Sequence, residues 1–207
     1  MADILHISAS PKGDRSTSER MAAAFLEAYA KTHPEDLVRR LNVFEAELPE
    51  FGKLHAEAKF APLFKEDLTP EQLAAWAPVL EVIAAFDKAD KIVISCPMWN
   101  YSVPWRLKLY LDCLVQPGRT FGYDPVKTQH IGLLRNRPVQ LLLTRSSIMP
   151  GDPNDFQLPY LKFIMTSIGL ADVRALSAWQ TTKYTPEERA AYVARFEGEA
   201  REAAATF

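Results

Sequence analysis

Short apolar runs alternate with longer amphipathic stretches along this chain. The apolar runs predict five β-strands, at residues 4–8, 37–44, 91–95, 138–144 and 173–179. Apolar side chains at helical spacing predict helices at residues 17–31, 70–89, 104–114, 157–168 and 185–205. Residues 45–69 carry prolines and phenylalanines that interrupt any period, and they predict an irregular excursion packed over one domain spanning residues 1–207.

Strand and helix alternate five times, which is typical of an α/β domain with a parallel sheet. With right-handed crossovers, the simplest arrangement is a doubly wound five-stranded sheet of order 2-1-3-4-5. In that order a crevice opens between the carboxyl ends of strands 1 and 3. Residues 9–18 and 97–101 follow those two strands. We therefore expect function in these two segments.

Composition limits the function classes. The 207 residues are 48% hydrophobic with a net charge of −2, which gives no electrostatic reason to expect a nucleic-acid or anionic-membrane partner. No apolar stretch approaches membrane-spanning length, and no basic segment precedes an apolar run at the N-terminus. The two cysteines, Cys96 and Cys113, cannot form a disulfide framework. A cytoplasmic protein without a membrane span is therefore expected.

The first loop is rich in hydroxyl groups and leads from a strand into a helix. A helix N-terminus has unpaired amides and a partial positive charge, so it suits a phosphate group. The candidate phosphate ligands are Ser10, Ser16, Thr17 and Ser18, with positive charge from Lys12 and Arg15. An ordinary strand–helix turn, with Ser16 as a simple N-cap, is the alternative.

The glycine content distinguishes between phosphate ligands. The motifs G-x-G-x-x-G and G-x-x-x-x-G-K-[ST] do not occur, and the chain has only 8 glycines. A pyrophosphate cradled by backbone amides is therefore disfavoured, and a monophosphate held by hydroxyls fits better. FMN carries one terminal phosphate and binds at this point of sheets with the order 2-1-3-4-5.

The second segment lies between two prolines. Met98, Trp99, Asn100 and Tyr101 follow Pro97, and a further proline stands at position 104. Prolines restrict the backbone, which preorganises its polar groups toward a flat heteroaromatic ligand. A hydrophobic loop that caps the edge of the sheet is the alternative interpretation.

These residues form a recognisable pattern. The run P-M-W-N-Y-S-V-P-x-x-L-K-x-x-x-D at residues 97–112, followed by G-R-T-F at 118–121, resembles the FMN-dependent NAD(P)H:quinone oxidoreductase and azoreductase family. The S-x-S-x-R element at residues 16–20, S-P-K at 10–12 and P-Y-L at 159–161 agree with it. The resemblance extends along nearly the whole chain.

The resemblance implies a flavodoxin-like homodimer that binds FMN, takes hydride from NADH or NADPH and reduces quinones or azo compounds. Ser10 and residues 16–18 would hold the FMN phosphate, and residues 98–101 would lie beside the isoalloxazine ring. Phe121 would line the substrate site over the flavin. The third FMN contact of the family would fall on Thr144, Arg145, Ser146 and Ser147.

This third contact departs from the family pattern. The family commonly has S-R-G-G, whereas this chain has T-R-S-S at residues 144–147. A glycine pair permits positive φ and close approach to the ring, and two serines restrict that or add hydroxyls. We expect the pyrimidine end of the flavin to be held differently here.

Three alternatives stay open from the sequence. A flavodoxin-type electron carrier would bind the same FMN, but a balanced net charge of −2 offers little of the charged docking face that such carriers use. A flavin-free binding domain on the same fold is the second alternative. FAD in place of FMN is the third. The four histidines show no metal-binding spacing, no G-x-S-x-G elbow is present, and Cys96 is interpreted as a core residue.

Overall fold

A computed structural model describes residues 1–182 and 184–207, apart from the side chain of residue 14. The strands are β1 Asp3–Ser8, β2 Leu37–Asn42, β3 Lys91–Pro97, β4 Phe121–Asp124, β5 Gln129–Gly132, β6 Val139–Thr144 and β7 Val173–Ala178. The helices are α1 Thr17–Thr32, α2 Lys53–Phe64, α3 Pro70–Asp87, α4 Trp105–Leu114, α5 Leu158–Ser167 and α6 Pro186–Ala204. Within the described residues, no helix combines the length and apolar character needed to cross a bilayer.

Five strands form one parallel sheet in the order β2-β1-β3-β6-β7. When β4 and β5 are left out, because they lie outside this sheet, the order corresponds to 2-1-3-4-5. In the register, Ser8 of β1 pairs with Ser95 of β3, and Pro97 of β3 pairs with Thr144 of β6. The loops that follow these strands therefore emerge side by side at one edge.

Helices cover both faces of the sheet because successive strand residues point to opposite sides. In β1, Ile4 packs with α1 and α6 in one hydrophobic cluster, whereas Leu5 and Ile7 belong to the cluster on the other face. Both faces of the central strands are covered, which explains their continuous apolar runs.

The prediction of an irregular excursion at residues 45–69 is wrong for residues 53–64. Residues 53–64 form α2, which buries Ala58 and Ala61. Pro62 lies in the last turn of the helix, where it does not prevent the preceding turns from forming. Lys65 ends the helix in the left-handed conformation with a φ of 57°.

The sequence analysis also missed a hairpin. Strands β4 and β5 pair antiparallel, with Phe121 opposite Gly132. A Cβ at Gly132 would lie 2.1 Å from the backbone nitrogen of Gly169, so the hairpin contacts the end of α5 too closely for any side chain at this position. This contact fixes the hairpin, and with it Phe121, against α5.

Candidate functional site

A cleft lies at the carboxyl edge of the sheet, beside the ends of β1, β3 and β6. Its cavity volume is about 150 Å³. Four chain segments contribute to its walls: Ser10, Pro11, Lys12, Arg15, Ser16 and Thr17 after β1; Pro97, Met98 and Trp99 at the end of β3; Thr144, Arg145 and Ser146 at the end of β6; and Thr181, Thr182 and Arg189 after β7. The two segments predicted from the sequence therefore meet in one place.

The hydroxyl groups of the first loop are held at the start of α1. Ser10, Ser16, Thr17 and Ser18 are all buried. Ser16 occupies the cap position of α1, but its Oγ lies 3.0 Å from Ser18 Oγ and makes no capping bond to a backbone amide. The simple N-cap interpretation of Ser16 therefore does not describe its side chain. Ser18 is not among the described residues that line the cleft, and its hydroxyl lies behind that of Ser16.

The segment after β3 forms a tight two-residue turn. The Trp99 amide donates to the Ser102 carbonyl at 3.0 Å, and the Ser102 amide donates to the Trp99 carbonyl at 2.9 Å. Between them, Asn100 has a φ of 46° and Tyr101 a φ of 68°. Two successive positive φ values are typical of a type I′ turn. Asparagine tolerates this conformation, whereas for tyrosine it costs about 1 kcal/mol.

Some side chains of this segment line the cleft, and others are exposed to solvent. Met98 and Trp99 line the cleft, and the Trp99 ring packs against Phe44 with ring centroids 5.7 Å apart. Asn100 and Tyr101 are exposed and do not line the cleft. Their contact with a flavin therefore stays a prediction.

Residues 144–147, at the end of β6, lie beside the segment that follows β3. The Met98 amide donates to the Thr144 carbonyl at 2.7 Å. The Arg145 side chain is fully buried and forms an ion pair with Asp155, so its guanidinium is engaged within the protein. Ser146 is exposed at the cleft, and Ser147 is exposed outside its lining.

The family model described as flavodoxin-like fold matches residues 2–203 of this chain. The chain belongs to this flavodoxin-like family. An FMN-dependent NADH:quinone oxidoreductase from Nitratidesulfovibrio vulgaris (strain DP4) is 43% identical over 211 residues, covering 100% of both chains.

Solved structures of the same fold agree with this assignment. The azoreductase from Bacillus anthracis str. Sterne superposes with a TM-score of 0.88 at 26% identity and covers 100% of both chains. An FMN-dependent NADH-azoreductase from Bacillus anthracis str. Ames Ancestor, solved in complex with FMN, has a TM-score of 0.86 at 25% identity. That match covers 100% of this chain and 99% of the other.

Phe121 lies away from the cleft of this flavodoxin-like chain. It belongs to the hairpin and lines a separate apolar cavity of about 460 Å³ between the hairpin and α5. The His130 ring lies beside it, with ring centroids 5.9 Å apart. Its place over a flavin therefore stays a prediction.

Sequence reasoning missed the contribution of the segment after β7. Thr181, Thr182 and Arg189 line the same cleft as the serines of the first loop. The topology could have indicated Thr181 and Thr182, because β7 ends at the same edge of the sheet as β6. Asp155 was also missed, since nothing in its local sequence indicates that it binds Arg145.

Cys96 was interpreted as a core residue, and its environment supports this. The side chain is fully buried in β3, and burial raises the pKa of its thiol to about 12. A thiol with this pKa stays protonated at neutral pH and is a poor nucleophile.

Proposed function

We propose that this chain is an FMN-dependent NADH:quinone oxidoreductase that also reduces azo compounds. The observation that carries the proposal is the cleft itself, in which a buried hydroxyl loop at the start of a helix faces an aromatic turn across one sheet edge. The full-length identity of 43% to an enzyme of that name supports the same assignment.

The residues of the cleft fit FMN. Ser16 and Thr17 lie at the N-terminus of α1, where the Ser16 hydroxyl does not cap a backbone amide, and Ser10 lines the same cleft. A single phosphate group at this point would accept from these donors and gain from the helix dipole. Lys12 and Arg15 line the same end of the cleft and supply positive charge.

The opposite end of the cleft fits the flat ring. Trp99 is fixed by Phe44 on one side and by its own turn, so its position is set before any ligand binds. Such preorganisation reduces the entropy lost on binding. We place Met98 to Tyr101 along one edge of the isoalloxazine and residues 144–147 along the pyrimidine end.

Bound FMN would supply the two-electron redox chemistry that links NADH to the acceptor. The protein contributes binding and orientation of the reactants. The backbone amides of Asn100, Tyr101, Ser146 and Ser147 donate to no other described residue, and they would stabilise negative charge on the ring, as in an oxyanion site. Donor and acceptor would occupy the same face of the ring in turn, which predicts ping-pong kinetics.

We propose that the enzyme acts as a homodimer in the cytoplasm. Large apolar side chains lie exposed near the hairpin and α5, with Phe163 exposed to 67% and Phe156 to 58%. A second copy placed against this surface would bury them and would bring Phe121 to the partner's cleft. Both cysteines are free and buried, as suits a reducing compartment. Sedimentation at micromolar concentration tests the dimer, and a monomer there would contradict it.

The visible spectrum of the purified protein tests the main proposal. We expect a yellow chromophore that NADH bleaches under anaerobic conditions and benzoquinone restores. Mass measurement of the cofactor released by heat distinguishes FMN from FAD. A flavin that NADH does not reduce without a protein partner would indicate an electron carrier, and a colourless protein that does not bind added FMN would refute flavin chemistry.

A further inference from the structure

A buried ion pair connects the end of β6 with the start of α5. The side chains of Arg145 and Asp155 are exposed by 0% and 2%, respectively. Removing two charges from water costs several kcal/mol per ion, and a buried pair often stabilises a fold no better than apolar side chains would. A gain in stability therefore does not by itself account for this pair, and its connections suggest a role in geometry.

Asp155 is connected to the end of β3 and to the turn after it through the next two residues, Phe156 and Gln157. Its Oδ1 accepts from the amides of Gln157 at 3.0 Å and Leu158 at 3.1 Å, which fixes the first turn of α5. From that position the Phe156 amide donates to the Tyr101 carbonyl at 3.0 Å. The Gln157 side-chain amide donates to the Cys96 carbonyl at 3.0 Å.

Arg145 connects the same pair to β7. Its Nη2 donates to Ser177 Oγ at 3.2 Å, and its carbonyl accepts from the Thr181 amide at 3.3 Å. The pair therefore links the ends of β3, β6 and β7, which carry three of the four walls of the cleft.

The turn after β3 requires such support. Asn100 and Tyr101 both hold positive φ, and a turn with a tyrosine in this conformation persists only where its surroundings impose it. The bond from Phe156 to the Tyr101 carbonyl acts on the strained residue itself.

We propose that Asp155 is a positioning residue, which acts through Arg145 and the start of α5 to hold the Trp99–Ser102 turn in the shape that receives the flavin ring. This inference rests on the proposed function. It predicts that loss of the Asp155 charge disturbs the ring end of the site and leaves the phosphate end unchanged.

The Asp155→Asn variant tests this prediction, because the amide oxygen can still accept from the start of α5 while the ion pair is lost. We expect the Kd values of FMN and riboflavin to rise by the same factor, about tenfold, since riboflavin has the ring but no phosphate. We also expect a changed visible circular dichroism band and a shifted midpoint potential of the bound flavin. Asp152→Asn is the matched control, because Asp152 lies in the same loop and its side chain bonds only to Asn154 among the described residues.

Hydrogen exchange provides a measurement that needs no flavin. In the flavin-free Asp155→Asn protein, we expect the Phe156 amide to exchange at least tenfold faster than in wild type and in Asp152→Asn. A wild-type protein that binds neither flavin would refute the proposed function, whereas this exchange rate would still test the role of Asp155. An unchanged exchange rate would overturn the inference.

Two other results would also overturn it. One is an Asp155→Asn protein with wild-type riboflavin affinity, and the other is a loss of affinity confined to FMN. If that variant does not fold, Gln157→Met removes the bond to the Cys96 carbonyl and keeps the ion pair. We expect about a threefold rise in the riboflavin Kd for this variant, and an unchanged Kd would refute the proposal.

Discussion

His6 Nε2 lies 2.8 Å from Ser95 Oγ, and both side chains are buried between the sheet and α1. Ser95 donates its only hydroxyl proton to Glu19, so it accepts from His6, whose Nε2 therefore carries a proton. The other carboxylate oxygen of Glu19 accepts from Arg40 at 2.9 Å. A polar chain thus crosses from β1 through β3 to α1 and ends at β2.

This arrangement predicts a pH-dependent stability. Burial lowers the pKa of His6 to about 4, below its ordinary value of 6.5. The unfolded chain therefore gains a proton as the pH falls below 6.5 while the folded chain does not. The stability that His6 contributes is fully present above pH 6.5 and is lost as the pH falls toward 4. Urea unfolding at pH 7.5, 5.5 and 4.5 measures this loss.

The control for this prediction is His6→Gln, which keeps a donor for Ser95 but does not titrate. Between pH 7.5 and 4.5, we expect the free energy of unfolding of the wild type to fall by about 2 kcal/mol more than that of the variant. All other titrating groups are common to both proteins. Parallel curves for the two would show that His6 is not held neutral in the fold.

Ser16→Asp tests the phosphate end of the cleft. A carboxylate at the start of α1 would repel a phosphate group and compete with it for the same amides. We expect the Kd of FMN to rise at least thirtyfold, or about 2 kcal/mol, and that of riboflavin to stay within twofold. Calorimetric titration measures both. Undiminished FMN affinity would remove the first loop from the proposed site.

The first loop and the turn could be predicted because a parallel sheet brings the carboxyl ends of its strands to one edge. Ser10 and Trp99 follow neighbouring strands, so their proximity depends on strand order and requires no knowledge of side-chain packing. Asp155 and Arg189 could not be found in this way. Their positions depend on how α5 and α6 pack on the sheet, which short-range periodicity does not encode.

The helix α2 and the β4–β5 hairpin were missed for a similar reason. Pro62 and Phe60 interrupt the apolar period of residues 53–64, but the helix there needs to bury only Ala58 and Ala61. The hairpin has a weak strand pattern and is held by the contact of Gly132 with Gly169, which are 37 positions apart in the sequence. Contacts between distant positions override local propensity in both cases.

Arg189→Ala tests a cationic side chain that the sequence did not single out. Arg189 lies near the start of α6 and lines the cleft together with Lys12 and Arg15. We expect its loss to raise the Kd of FMN about three- to fivefold and to leave riboflavin affinity unchanged, because only FMN carries the phosphate. The salt dependence of FMN binding should also decrease.

Arg201→Ala is the matched control, because Arg201 is exposed in the last turn of the same helix. It should change neither affinity. An Arg189→Ala protein that binds both flavins as tightly as the wild type would show that the β7–α6 segment is not part of the phosphate site.

The positive φ of Tyr101 predicts that, at this position, a glycine variant is more stable than an alanine variant. At ordinary positions glycine is less stable than alanine by about 0.5–1 kcal/mol, because it loses more backbone entropy on folding. At a φ of 68° the Cβ of alanine is strained and glycine is not. We therefore expect Tyr101→Gly to be more stable than Tyr101→Ala by about 1 kcal/mol, measured by urea unfolding. Thr166, at an exposed site in α5, is the control: there we expect Thr166→Ala to be more stable than Thr166→Gly. If the glycine variant were the more stable one at both sites, or the alanine variant at both, a strained turn would be contradicted.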